Sequence, residues 1–175
     1  MKTKITLLTA IMAFILSVSV AQTPVKEYKA GSIFFVSLPD YMSKTIGLNS
    51  AASIQYKNTV KDVYGFVIID NKEEMALADL KYGSINEFFE DFVKSFLEGE
   101  AQRKISTPQY QKKGEVNFVE CDATYYDEEM KAEVYYHVGV AETPTSFYKV
   151  LSWVLAEHKD KYKADFQNIL LSVRD

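Results

Sequence analysis

The sequence predicts an α+β domain in which an antiparallel β-sheet is sandwiched by helices. Three observations carry this reading. Runs rich in Ile, Val, Phe and Tyr recur at strand length, and two amphipathic helical segments separate and close them. The links between the last three runs are also far shorter than the dozen or so residues a parallel crossover takes, so those strands must be antiparallel.

The chain opens with Lys2 and Lys4, an apolar run from Ile5 to Ile15, and Ser19-Val20-Ala21 ahead of Gln22. A basic start, an apolar stretch too short to span a bilayer and small residues at the cut site describe a signal peptide, cleaved after Ala21. The expectation is a bacterial exported protein, periplasmic or secreted. No cysteine follows the apolar run, so a lipid anchor is not expected. Residues 22–30 are polar and contain Pro24, which reads as a flexible N-terminal segment, and 31–175 read as a single domain.

Without the leader the chain keeps 18 of its 20 basic residues and all 24 acidic ones, a net charge of −6. That argues against electrostatic binding to nucleic acid or an anionic membrane. No later stretch is long and apolar enough for a membrane span. Cys121 is the only cysteine. The domain therefore has no internal disulfide and must be held by its core.

A buried strand is expected from Ser32 to Leu38, closed by Pro39-Asp40, a second from Ser53 to Lys57, and a third from Val63 to Ile69. Ser84-Ile85-Asn86-Glu87 has the form of a capping box and starts a helix. Its apolar face is Ile85, Phe88, Phe89, Phe92, Val93, Phe96 and Leu97, with Gly99 weakening the end. After Pro108 come a weak strand near Tyr110 and three strong ones, Glu115 to Tyr125, Lys131 to Ala141 and Ser146 to Ala156. The last is apolar on both faces, which predicts a central position. A closing helix runs from Lys159 to Leu171 and buries Tyr162, Phe166, Ile169 and Leu170.

These elements together resemble the PsbP-like superfamily, which includes the photosystem extrinsic subunit, the Ran-binding nuclear import factor and exported bacterial proteins. The similar stretches are Phe34-Phe35-Val36-Ser37-Leu38-Pro39-Asp40-Tyr41-Met42, Ile54-Gln55-Tyr56 and Gly65-Phe66-Val67-Ile68-Ile69. To these are added the capped helix from Ser84, the meander from Glu115 to Ala156, and Phe166-Gln167-Asn168-Ile169-Leu170-Leu171-Ser172-Val173. The resemblance implies an α/β/α sandwich and a role in binding proteins. It brings no catalytic set, no metal ligands and no surface for Ran.

Candidate chemistry is sparse. Cys121 and His137 lie on strands that should pair, but the alternation puts Cys121 with Val119 and Ala123 on a core face, as a buried structural thiol. His137 shares a face with Glu133 and Tyr135, and His158 falls in a link. Neither has zinc-site spacing. Asp127-Glu128-Glu129 reads as a solvated hairpin tip, since the loop pattern of a calcium site is missing. There is no phosphate loop and no nucleophile elbow. Aromatic side chains with polar tips concentrate on the second half of the sheet. Tyr126, Tyr135, His137, Tyr148 and Trp153 are the expected binding surface. The expectation is thus a soluble, non-catalytic domain without cofactor or metal that binds an unidentified protein or envelope component. The alternative is a carrier of a small apolar ligand, with a pocket between the Phe-rich helix, through Phe88, Phe92 and Phe96, and the sheet at Tyr136 and Trp153.

Overall fold

The computed structural model describes residues 22–31 and 34–175. The predicted leader over 1–21 lies outside them, as do Ser32 and Ile33 of the first predicted strand. β1 (Val25–Ala30) and β2 (Phe34–Pro39) form a hairpin, and β3 (Ser43–Thr45), β4 (Ile54–Asn58) and β5 (Val63–Asn71) a meander. Two helices follow, α1 (Lys72–Leu77) and α2 (Ile85–Ser95). Then come β6 (Ala101–Ile105), β7 (Gln109–Lys113), β8 (Val116–Asp127), β9 (Ala132–Glu142), β10 (Ser146–Leu155) and α3 (Lys159–Leu171).

The main sheet has the order β3-β4-β5-β10-β9-β8-β6 and is antiparallel throughout. β10 is interior, as its two apolar faces predicted. It joins the early meander to the late one by pairing with β5. β6 and β7 share the outer edge of β8, β6 along 123–126 and β7 along 116–120. Between them the chain at 106–108 leaves the ladder. Ser106 holds it there: its N–H donates to the Asp122 carbonyl at 2.8 Å, and its hydroxyl accepts from the Asp122 N–H at 2.9 Å.

One sheet face carries Tyr56, Val67, Phe118, Tyr135, Tyr148 and Val150. It is covered by Phe34, Val36 and Leu38 of the hairpin and by Tyr162, Phe166, Ile169 and Leu170 of α3. The opposite face carries Val119, Cys121, Ala123, Val138, Val140 and Phe147 under Ile85, Phe88 and Phe89 of α2. The result is the helix–sheet–helix layering expected, with each face alternating residue by residue along the strands.

Two glycines let neighbours come close to the sheet. A Cβ on Gly139 would lie 2.5 Å from Leu170 Cδ2, so the bare backbone at 139 is the seat of that α3 side chain. A Cβ on Gly65 would lie 2.3 Å from Tyr56 Cε2 and 2.7 Å from the Leu151 carbonyl, so the Tyr56 ring lies across the backbone of β5.

Several elements differ from the sequence reading. Residues 25–30, read as part of a flexible segment, form β1, because six backbone pairs with β2 hold a strand whose side chains are mostly exposed. α1 has no buried residue and so no apolar periodicity to find. Its start is fixed by Asn71, whose side chain accepts from the N–H groups of Glu73 and Glu74. β3 and β6 are short edge strands with too few residues to show a period. α2 begins at the predicted cap, with Glu87 N–H donating to Ser84 Oγ. The Glu87 carboxylate accepts from the N–H of Gly83, one residue earlier than a capping box prescribes. The helix stops at Ser95, short of Phe96 and Leu97. There Arg103 of β6 donates from Nη2 to the Val93 carbonyl at 2.7 Å and from Nε to the Phe96 carbonyl at 2.8 Å.

Candidate functional site

Under α3 the sheet carries a transverse row of polar side chains. Register places Asp122, His137, Ser152, Gly65 and Tyr56 side by side on β8, β9, β10, β5 and β4. Because Gly65 has no side chain, Tyr56 reaches across it to Ser152, oxygen to oxygen at 2.8 Å. At the other end Asp122 accepts from Lys159 at 2.8 Å and Lys163 at 2.7 Å, both on α3, and from the Tyr135 hydroxyl at 2.8 Å. One pair along β8 from Asp122, Glu120 accepts from Gln167 of α3 through Oε1. His137 is 1% exposed. Its Nε2 lies 3.2 Å from Glu120 Oε2 without hydrogen-bond alignment, and Nδ1 has no partner among the described residues.

Electrostatics keep both carboxylates ionised. Burial pushes Glu120 up, but His137, Gln167 and Lys163 outweigh it and leave its pKa below the ordinary value. Burial acts the same way on Asp122, where Lys159, Lys163 and Tyr135 reverse it. The row reaches solvent at the β6–β7 gap, through an open cleft of about 350 Å³ whose lining includes Ser106, Thr107, Gln109, Glu120, His137 and Lys163.

Nucleophilic chemistry has little support in this row. Ser152 is fully buried beneath α3, with its hydroxyl engaged by Tyr56. Cys121 pairs with Val138 on the α2 face, whereas His137 points to the α3 face, so the sheet stands between them. Burial, and next the negative charge of Asp122, push the Cys121 thiol up to about 12. Among the described residues no group of three His, Cys, Asp or Glu side chains is arranged to hold a metal. His158 is exposed beside Glu157, and 128–131 is an exposed hairpin tip, with Asp127 Oδ1 accepting from the N–H groups of Glu129 and Met130.

The opposite face offers a different surface. Tyr64, Trp153 and Tyr136 are direct cross-strand neighbours on β5, β10 and β9. Their rings stack at 5.5 Å and 5.4 Å with interplanar angles of 19° and 25°, and Phe66 packs edge-on to Trp153 at 5.7 Å. Tyr64, Phe66 and Trp153 belong to neither core and remain half-buried, beside half-buried Gln55, Lys57 and Ile68. α2 roofs the neighbouring part of the sheet. There Phe88 stacks on Phe147 at 4.2 Å and Phe96 meets Tyr136 edge-on at 5.3 Å, so rings fill the place where a carrier pocket was expected.

The five residues of the expected binding surface are therefore dispersed. Tyr135, His137 and Tyr148 are buried on the α3 face. Tyr148 donates to the Asp175 carboxylate, and burial with that contact pushes its pKa up to about 12. Tyr126 is half-buried on β8 opposite Ala101 of β6. Trp153 alone joins the open ladder.

A scan against protein-family models gives no match, and no curated protein matches the chain in sequence. Solved structures do match. The cyanobacterial PsbP (CyanoP) from Synechocystis sp. PCC 6803 superposes with a TM-score of 0.60 at 14% identity, covering 89% of this chain and 95% of its own. The chain has the PsbP-like fold. LpqN, involved in cell envelope biogenesis of Mycobacterium tuberculosis, superposes with a TM-score of 0.59 at 10% identity over 86% of this chain and 89% of its own. At such identity the likeness is one of fold and carries no side-chain roles. Within this PsbP-like fold, the α3 contacts of Glu120 and Asp122 were hidden from the sequence, because Gln167, Lys163 and Lys159 lie far along the chain. Tyr64 and Phe66 were visible only as strand residues. The signal that would have found them is the Tyr64–Trp153–Tyr136 register, which needs the β5–β10 pairing.

Proposed function

We propose that this chain is an exported, non-catalytic domain that binds a partner protein or envelope component through the aromatic ladder on the uncovered part of its sheet. The observation that carries the reading is that Tyr64, Phe66 and Trp153 pack on one another outside both cores and stay half-buried. Large rings held in place at low entropic cost are what recognition surfaces use. Stacking along the row occupies ring faces and turns edges outward, a surface suited to the side chains of a protein more than to a ligand that stacks on a flat face. The buried Ser152, the raised Cys121 thiol and the sheet between Cys121 and His137 favour a role without catalysis. The fold shared with LpqN is in keeping with an envelope role.

The test uses the full chain in its native cell with a photo-crosslinking residue at Tyr64 and, as control, at exposed Val60. A discrete adduct from position 64, absent from position 60 and lost with Trp153→Ala, is expected. Equal adducts from both positions, no adduct, or an adduct with a second copy of this chain would overturn the reading.

A further inference from the structure

Buried polar atoms in folded proteins are nearly always partnered. Here Glu120 Oε2 and His137 Nε2 are buried against each other at 3.2 Å without hydrogen-bond alignment, His137 Nδ1 has no partner among the described residues, and both residues line the β6–β7 cleft. A single water would satisfy part of this need, but the cleft, at about 350 Å³, is several times the roughly 30 Å³ share of one water. It falls at the lower end of the range of small-molecule sites. The cleft exists because residues 106–108 leave the ladder between β6 and β7, and Ser106 pins that departure to Asp122.

The charges around the cleft choose the ligand. Glu120 and Asp122 are offset by Lys159 and Lys163. An added anion would face two carboxylates, and an added cation would face the Lys163 ammonium at the mouth, so either would leave an unbalanced charge in a half-enclosed place. The remaining groups are hydrogen-bonding ones: the Ser106 and Thr107 hydroxyls, the Gln109 amide, the His137 imidazole with one donor and one acceptor when uncharged, and the Glu120 oxygen as acceptor. We propose that the β6–β7 cleft is a binding site for a small neutral molecule bearing several hydroxyl or amide groups, about the size of one sugar ring. Its groups bond the Ser106 and Thr107 hydroxyls and the Gln109 amide, and one of its donors reaches the Glu120 carboxylate beside the His137 ring.

This site is on the opposite sheet face from the aromatic ladder and does not depend on it. The experiment titrates the full chain with N-acetylglucosamine as the neutral probe and with glucosamine and glucuronic acid as cationic and anionic probes of the same ring. Amide and imidazole NMR signals provide the readout. Saturable shifts are expected for N-acetylglucosamine at Ser106, Thr107, Gln109, Lys163 and the His137 ring, with Tyr64 and Trp153 unmoved. Glu120→Gln should weaken that binding about ten- to hundredfold, the cost of losing a hydrogen bond to a charge. Thr107→Val, which touches no α3 contact, should weaken it by a smaller factor with the fold intact. The absence of saturable shifts up to about 10 mM, an affinity weaker than ordinary recognition, would mean that water alone fills the cleft and would overturn the proposal. Tighter binding of either charged probe, or shifts confined to the ladder, would overturn it equally.

Discussion

At the scale of single residues, the two sheet glycines and the one cysteine carry the sharpest expectations. Gly139→Ala places a methyl 2.5 Å from Leu170 Cδ2, so the side chain or helix must shift, at a cost of about 1–3 kcal/mol. Denaturant unfolding should show that cost shrinking in the Leu170→Ala background, a coupling between two contacting sites. Additive losses would mean that Leu170 does not dock on the bare backbone. Gly65→Ala should cost more, because one of its neighbours is the rigid Leu151 carbonyl. The Cys121 thiol should be alkylated at pH 8 only as fast as the protein unfolds, since burial removes both access and thiolate. Labelling of the native protein at the rate of a free thiol would contradict this. The burial of Cys121 was readable from the alternation of β8. The purpose of Gly139 was not, because its partner lies on the last helix.

At the scale of elements, α2 shows what a sequence states and what it conceals. Its start is written locally in Ser84 and Glu87, and its face in the spacing of Phe88, Phe89 and Phe92. Its end is set from outside by Arg103, whose guanidinium takes two carbonyls of the last turn. Ser84→Ala should cost about 1 kcal/mol. Arg103→Ala should cost about 1.5–3 kcal/mol, the range for hydrogen bonds to a charged group. Hydrogen exchange should then show fraying at 93–96 while β8 and β9 stay protected. Equal loss of protection throughout would assign Arg103 to the core and not to the cap. α1, β3 and β6 escaped the sequence reading for a common reason: each is short, lies at an edge or on the surface, and buries too little to leave a period.

For the molecule as a whole, α3 is bound to the sheet by charge as well as by Tyr162, Phe166 and Leu170. Asp122 has a pKa lowered by Lys159, Lys163 and Tyr135 against the upward push of burial. A depressed carboxylate contributes stability that is present above its unfolded value of about 3.9 and is lost as pH falls through the folded value. Asp122→Asn should therefore lower stability by a nearly constant amount between about pH 7 and pH 5, and the difference should close below about pH 4. A difference that widened in acid would have the wrong sign for these contacts. The layers, the central place of β10 and the limits of α3 were legible, because they follow from periodicities repeated over many residues. The polar row and the aromatic ladder were not, because the row exists only once five strands stand in register and the ladder only once three do.

That register depends on the junction of β5 with β10, which brings Tyr64 opposite Trp153 and Asn71 opposite Ser146. Every other neighbouring pair within the two meanders can form from nearby chain, whereas this one must close a loop containing α1, α2 and four strands. Non-local closure of this kind slows folding, since chain entropy is lost before the contacts repay it. The two meanders should accordingly gain amide protection early in refolding, and the backbone along 63–71 and 146–155 should gain it together in the final, rate-setting step.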